Sequence, residues 1–308
     1  MAALYHEYDP ATLARLQNVL RGMLREFAAL CAKHGIRWWT DAGTTIGALR
    51  EGGMIPWDDD IDICLMRREY ERLLSLVEEE LGDRYYVLDP SRFPNYPLET
   101  ARICLRGTKF REECMKGVDA PFGIFLDIYC FDNLADNPKE AHRQWYRAWF
   151  WNKLAILRTV RSPVLYFRGP KATLVRIVCF IVHYALRLFP LDFLNRRAER
   201  WARSHEGEET ERAFYPFAPL PFRHAIRVDD IFPTLSVPFD GQTVEVARGA
   251  DAFIRSRFGD YMVPPPPEKR HNHPPLELDF GPWEAEGGVL RQTAPLPPDA
   301  QRLPTLPN

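Results

Sequence analysis

Four aspartates within five positions, Asp58, Asp59, Asp60 and Asp62, are set in an otherwise apolar run, and no other feature of the chain constrains its fold as strongly. Ile61 to Met66 (IDICLM) has the β-branched and apolar composition of a short buried strand. If that strand begins near Asp60, its two-residue period puts Asp60 and Asp62 on one face, about 6.5–7 Å apart along the chain. Carboxylates that close repel by roughly a few kcal/mol at an effective dielectric of about 20. A chain keeps such a pair at the mouth of an apolar strand only where something offsets the repulsion. A divalent cation does so, and hard oxygen ligands point to Mg²⁺ or Mn²⁺. Asp58 is the next candidate ligand. An EF-hand is excluded, because the loop glycine and the distal glutamate are missing at the required offsets.

Upstream, Ile36 to Thr40 reads as a strand running into the turn Asp41-Ala42-Gly43-Thr44-Thr45, and Ile46 to Arg50 as a short helix. A helix N-terminus after a glycine turn offers unpaired backbone N–H groups and positive dipole, which suits phosphate. Thr44 and Thr45 add hydroxyls and Arg50 adds a cation. One segment therefore supplies an anion cradle (Gly43, Thr44, Thr45, Arg50) next to a metal site, the two parts that nucleotide-diphosphate chemistry needs.

The order of these parts resembles the LicD family, which also includes the fukutin-type proteins. Its G-T-x-x-G-A-x-R turn stands here as Gly43-Thr44-Thr45-Ile46-Gly47-Ala48-Leu49-Arg50. Its I-P-W-D-D-D-I-D-I block stands as Ile55-Pro56-Trp57-Asp58-Asp59-Asp60-Ile61-Asp62-Ile63. Near the C-terminus, Val237-Pro238-Phe239-Asp240-Gly241 and Gly259-Asp260-Tyr261-Met262 resemble two further family segments, so the likeness reaches from about residue 35 to about 275. A departure is Glu51, where a basic residue often follows the arginine. The resemblance implies a nucleotidyltransferase-like fold that moves phospho-alcohols, such as phosphocholine or ribitol phosphate, from CDP donors onto glycan hydroxyls.

Gly123 to Asp132 (GIFLDIYCFD) is the second informative stretch. A lone aspartate amid apolar neighbours is costly to bury unless it is paired or metal-bound. Nucleotidyltransferase-like folds place a third carboxylate on a neighbouring strand, and LicD-like sequences carry a similar G-I-F-h-D-I block (h for apolar), so Asp127 is expected to complete the metal site. Asp132 reads as a cap or turn residue. Arg102 lies in an apolar strand from Thr100 to Leu105, with Arg106, Lys109 and Arg111 following. That cluster reads either as a donor-pyrophosphate site or as a solvated basic loop. His271 and His273 read as surface polar residues and are left out of the metal set.

Elsewhere, Asp9-Pro10 opens a helix whose apolar residues recur at helical spacing to about Lys33, and residues 68–81 form an amphipathic helix with Tyr70, Leu73, Leu74 and Val77 inward. Residues 137–160 are helical and aromatic. Lys171 to Phe189 is strongly apolar but is interrupted by Arg176, His183 and Arg187. It reads as a buried core helix, with an interfacial helix lying on a membrane as the alternative, and not as a membrane span. Val228 to Phe232 looks like a strand. The proline-rich end from Thr293 is expected to be disordered. The domains expected are an N-terminal helix (1–34), a nucleotidyltransferase-like core (35–136), a helical insert (137–210), a C-terminal part (211–290) and a tail (291–308).

The 40 basic and 42 acidic residues leave a net charge of −2, so no global field favours nucleic acid. Six scattered cysteines without CxxC spacing read as reduced, packed thiols, and the polar N-terminus lacks a signal-peptide core. Both suggest a cytoplasmic setting.

The expected fold is α/β (or α+β): a mixed sheet carrying the metal site, flanked by helices, with a helical insert and a C-terminal cap. The expected activity is metal-dependent transfer of a phospho-alcohol from a CDP-activated donor to a hydroxyl of a cell-surface glycan of lipopolysaccharide, teichoic acid or capsule type. Peripheral contact with the inner membrane face follows if residues 171–189 are interfacial. A nucleotide-sugar glycosyltransferase is the alternative enzyme, since these also use D-x-D with a divalent metal. An inactive module binding a glycan or lipid head group is the alternative outside enzymes.

Overall fold

The computed structural model describes residues 7–160, 169–218, 224–273 and 275–301. In chain order the elements are α1 (Pro10–His34), β1 (Trp39–Thr40), α2 (Ala42–Arg50), β2 (Asp62–Met66), α3 (Arg67–Leu81), β3 (Tyr85–Leu88), β4 (Ala101–Leu105), β5 (Lys109–Glu112) and β6 (Phe125–Leu134). There follow α4 (Pro138–Thr159), α5 (Pro170–Leu186), α6 (Leu191–Ala202), β7 (Arg212–Phe214), β8 (Ala225–Arg227) and α7 (Val228–Ile231). The chain continues with β9 (Leu235–Phe239), β10 (Gln242–Val246), α8 (Ala250–Phe258), β11 (Pro275–Asp279), β12 (Trp283–Glu286), β13 (Val289–Gln292) and α9 (Pro298–Gln301).

A mixed sheet in the order β3-β4-β6-β2-β1-β10-β9 forms the centre, with β7 and β8 extending from β6. β2 and β6 run parallel at its middle, and almost every residue of both is buried. This explains why they read as continuous apolar runs, not as alternating ones. α1 begins as its sequence requires: Pro10 occupies the first turn and the Asp9 carboxylate accepts the Thr12 N–H at 2.9 Å. It ends at Gly35, whose φ of 63° is left-handed. Leu16, Leu20, Met23, Leu24, Phe27 and Leu30 bury α1 in the main core, together with Tyr70, Leu73, Leu74 and Val77 of α3.

Three expectations about elements are corrected. Val228–Ile231 is one helical turn, not a strand; Asp229 and Asp230 occupy its first turn, where the dipole favours acids. The proline-rich end from Thr293 carries some structure as far as residue 301: the Thr293 N–H donates to the Pro282 carbonyl at 2.8 Å, and Pro298–Gln301 is one helical turn. Arg106 Nη1 donates to the Ala300 carbonyl at 3.1 Å, which ties that segment to the body. Residues 302–308 lie outside those described. The third correction is the largest. α5 is not a core helix: only Ala172, His183 and Leu186 are buried, while Leu174 and Ile181 are each 62% exposed.

Candidate active site

The site lies where the C-terminal loop meets the edges of β2, β6 and α2. The Asp127 N–H bonds the Ile61 carbonyl at 3.0 Å, and the parallel register sets Asp62 opposite Asp127. Asp60 precedes the strand. Carboxylate oxygens of Asp60, Asp62 and Asp127 all lie within 4.8 Å of one another, and all three residues are buried. This is the trio expected from the sequence. A second group, Asp59, Asp60 and His273, meets the same limit. Both groups are of a kind that could hold a metal ion.

The electrostatics fit a cation. Burial raises the Asp62 carboxyl well above its ordinary range, and the neighbouring charges of Asp60, Asp127 and Asp41 raise it further. Asp58 is raised in the same way, by burial and then by Asp60 and Asp59. Burial lifts Asp127 to about 6, even with Arg102 opposing it. Asp60 is the exception. Burial acts to raise it, but the His273 imidazole 2.9 Å from its Oδ2 outweighs that and leaves it lowered. An all-carboxylate set of oxygens, two of them (Asp62 and Asp127) with raised affinities for protons, suits a hard divalent ion, which would compete with those protons.

His273 corrects the sequence reading. Its N–H donates to both oxygens of Asp59, at 3.0 and 2.9 Å, and its ring pairs with Asp60, so it belongs to the site and not to the general surface. Asp59 also accepts the Tyr8 hydroxyl at 2.7 Å, which fixes it on the N-terminal side. Asp58 falls in neither potential metal group. Its Oδ2 lies 2.6 Å from where a Cβ on residue 43 would stand, so only glycine fits at 43 without displacing that carboxylate. Asp132 is no cap. It sits buried in β6 and takes both a 2.9 and a 2.7 Å bond from Arg67.

The anion cradle also differs in detail. The helix begins at Ala42, so Gly43, Thr44 and Thr45 form its first turn and not a preceding loop. Both threonine hydroxyls are used internally. Thr44 Oγ1 accepts the Asp62 N–H at 2.8 Å and Thr45 Oγ1 meets Thr40 Oγ1 at 2.9 Å, so these groups hold α2 against β1 and β2. Ala42 takes a left-handed φ of 43°, unusual for a residue with a Cβ, where the chain turns from β1 into α2. The Asp41 carboxylate before it receives Arg257 Nη1 at 2.6 Å on both oxygens, a buried pair linking α2 to α8. No motif in the sequence marked that pair.

Arg50 stays at the cleft. Its Nη1 donates to the Tyr261 carbonyl at 2.6 Å and its Nε to Glu51 at 2.7 Å, while Nη2 is buried and finds no partner among the described residues. Arg102 does not. It is 4% exposed, crosses from β4 to donate to Asp127 at 2.9 Å and to Glu112 at 2.7 Å, and lies over the Phe125 ring. Arg102 is a brace for Asp127, because the antiparallel β4–β6 register places the two opposite each other.

The cleft of about 430 Å³ is lined by the carboxylates of Asp58, Asp60 and Asp62 and by the rings of Trp57, Phe258 and Tyr261. Lys269, Arg270 and His271 form part of its wall, and Ala42 and Gly43 bring the head of α2 to it.

Known proteins share this core. The chain is 26% identical to the lipopolysaccharide cholinephosphotransferase LicD of Haemophilus influenzae, over 85% of its own length and 96% of the relative's. It is 32% identical to the human ribitol 5-phosphate transferase FKRP over 26% of this chain and 16% of that protein. It is 26% identical to the Saccharomyces cerevisiae mannosyltransferase regulator 4 over 36% of this chain and 10% of that protein. The family model described as LicD/FKTN/FKRP, nucleotidyltransferase domain, matches residues 35–148, the segment that holds Asp60, Asp62 and Asp127. Residues 35–148 are thus similar to the LicD/FKTN/FKRP nucleotidyltransferase domain, within a chain similar to LicD over most of its length.

Proposed function

We propose that the protein is a metal-dependent phosphotransferase that moves a phospho-alcohol from a CDP-type donor to a hydroxyl of a cell-surface glycan. The observation that carries this reading is the convergence of Asp60, Asp62 and Asp127 within 4.8 Å, with Asp60 and Asp62 lining a cleft whose wall also holds an unsatisfied Arg50 N–H. Relatives named as a cholinephosphotransferase and a ribitol 5-phosphate transferase support the reaction class. Peripheral contact with the cytoplasmic face of a membrane belongs to the same reading.

Asp60, Asp62 and Asp127 would hold Mg²⁺ (or Mn²⁺), which when bound polarises phosphoryl oxygens and neutralises their charge. Arg50 Nη2 and the first backbone N–H groups of α2 hold the donor diphosphate, where helix dipole and guanidinium both favour anions. The acceptor oxygen forms its bond to the phosphorus next to the alcohol as the bond to the leaving CMP breaks. Asp127 would orient the acceptor hydroxyl and accept its proton as the new bond forms; a bound cation would keep this carboxyl low and would also loosen the hydroxyl's hold on its proton. Arg102 keeps that carboxylate in place.

Calorimetric titration of CDP-choline, CDP-ribitol, CDP-glycerol and UDP-glucose, each with and without Mg²⁺, tests this. The expected result is Mg²⁺-dependent binding of one CDP-alcohol, lost in Asp60→Ala/Asp62→Ala. Binding of UDP-glucose alone would overturn it in favour of a glycosyltransferase. Metal-independent binding, or none, would leave a head-group binding module.

A further inference from the structure

The outward face of α5 is continuous and apolar. Leu174, Ile177, Val178, Ile181 and Tyr184 recur at three- and four-residue spacing, which puts them on one stripe, and each is 45% exposed or more. Leu188, 84% exposed, and Phe189, 49% exposed, prolong it past the helix end. The opposite face anchors the helix: Leu186 packs with Ala155, Leu191 and Leu194, and the buried His183 ring meets the Leu157 carbonyl at 2.8 Å. α5 is thus held by its inner edge with its apolar stripe turned outward, the reverse of an ordinary amphipathic helix.

Charge says what covers it. From Ala141 to Leu191 the sequence holds nine lysines and arginines and no aspartate or glutamate, in a chain whose total charge is −2. Lys171, Arg176 and Arg187 on or next to α5 are exposed, as are Arg143 and Arg147 on α4. Beside the helix, a cleft of about 410 Å³ is lined by Lys116, Arg158 and Arg187, with Asp119 at its rim. A second copy of this face would bring cations against cations. An anionic lipid surface matches both the apolar stripe and the basic surround. At 17 residues α5 is about 26 Å long, short of the ~30 Å hydrocarbon thickness, and no single described helix is long and apolar enough to cross a membrane.

We infer that α5 lies in the plane of an anionic bilayer, with Leu174, Ile177, Val178 and Ile181 entering the acyl boundary and the lysines and arginines of α4 and α5 at the phosphates. This names the surface of the membrane contact in the transferase reading, but it rests on geometry far from the aspartates and needs no particular donor.

The test is sedimentation of the full chain with vesicles of phosphatidylcholine alone or mixed with phosphatidylglycerol. The mixed vesicles should bind it, and binding should weaken as salt is added. Ile177→Asp/Ile181→Asp should lose about tenfold or more in affinity, while its thermal midpoint and its donor binding stay unchanged. Asp60→Ala/Asp62→Ala should bind vesicles like the wild type, so failure of the transferase reading would leave this result standing. Three outcomes would overturn the inference: no preference for the anionic vesicles, undiminished binding by the α5 variant, or a dimer that the α5 variant abolishes.

Discussion

The aspartate cleft and the α5 face break the ordinary rule of burial in opposite directions. In the cleft, Asp41, Asp59, Asp60, Asp62 and Asp127 are each less than a tenth exposed, although carboxylates are seldom buried. On α5, leucines and isoleucines that would stabilise a core stand in the open. The two also differ in how the chain deals with the cost. Four of the buried acids have cations or donors of the protein itself: Arg257 for Asp41, Tyr8 and the His273 N–H for Asp59, the His273 ring for Asp60, Arg102 for Asp127. Asp62 has a hydrogen bond from Tyr129 but no cation of the protein among the causes that act on it, and burial with the charges of Asp60, Asp127 and Asp41 leaves its carboxyl well raised. The α5 stripe has no covering element among the described residues. Where most of a cost is left standing, as at Asp62 and on the α5 stripe, the missing partner comes from outside the chain.

The sharpest way to break this comparison is at Asp62. Asp62→Asn keeps the shape and removes the charge, so turnover should fall by on the order of a thousandfold. The metal-free melting temperature should not fall, because the amide removes the repulsion from Asp60, Asp127 and Asp41 while its oxygen can still accept the Tyr129 hydrogen bond. Wild type should gain thermal stability on adding Mg²⁺ and the variant should not. A large loss of stability in EDTA would show that the Asp62 charge serves the fold instead.

Arg102 gives the opposite result. Arg102→Met leaves Asp127 and Glu112 buried without their shared cation, which should cost about 3–5 kcal/mol in urea denaturation. Arg102→Lys should recover only part of this, since one ammonium cannot reproduce the fork that spans both acids. Equal stability of all three proteins would mean that the brace is dispensable.

Much of the cleft was legible because its chemistry is local. The D-h-D spacing needs only a strand's period, so Asp60 and Asp62 could be singled out from neighbouring residues; Asp127 stood out as a costly acid in GIFLDIYC, and the family resemblance tied it to the other two. Arg102, His273 and the Arg257–Asp41 pair could not. Their roles come from a β4–β6 register, a C-terminal loop that returns over 214 residues to Asp59, and a contact between α2 and α8, none of which is written in neighbouring residues. The threonines misled for a related reason. A hydroxyl beside a phosphate cradle and a hydroxyl holding a helix to a strand look alike until the partner is seen. α5 misled because an apolar helix in a core and one facing a lipid surface have nearly the same composition, and only packing separates them.

Glu99 sharpens the comparison away from the cleft, as a half-buried acid outside both potential metal groups. Its Oε1 is buried and without a hydrogen bond among the described residues, and burial, followed by the charge of Glu199, raises its carboxyl to about 8 from 4.5. Between those values the unfolded chain has released a proton that the folded chain keeps, so stability falls as pH rises through that window. Glu99→Gln removes this slope. Its melting temperature should differ least from wild type near pH 5 and exceed it most near pH 8. A constant difference across that range would show that Glu99 finds solvent or a cation when folded.

The smallest expected effect is also the one that decides what α5 is. On its inner edge, Leu186→Ala removes a 9% exposed side chain from the cluster with Ala155, Leu191 and Leu194, and should cost about 2–4 kcal/mol. On its outer edge, Leu174→Ser and Ile181→Ser remove side chains that touch mostly water, and each should change stability by no more than about 0.5 kcal/mol in vesicle-free solution. Denaturation of the three variants measured together separates the two faces of one helix within a single experiment. If the outer substitutions cost as much as the inner one, the chain itself covers the stripe, and the apolar residues of α5 are a core after all. If they cost nothing in solution but lower the stabilisation that anionic vesicles confer, then the same side chains that do nothing for the fold are retained for a surface outside it.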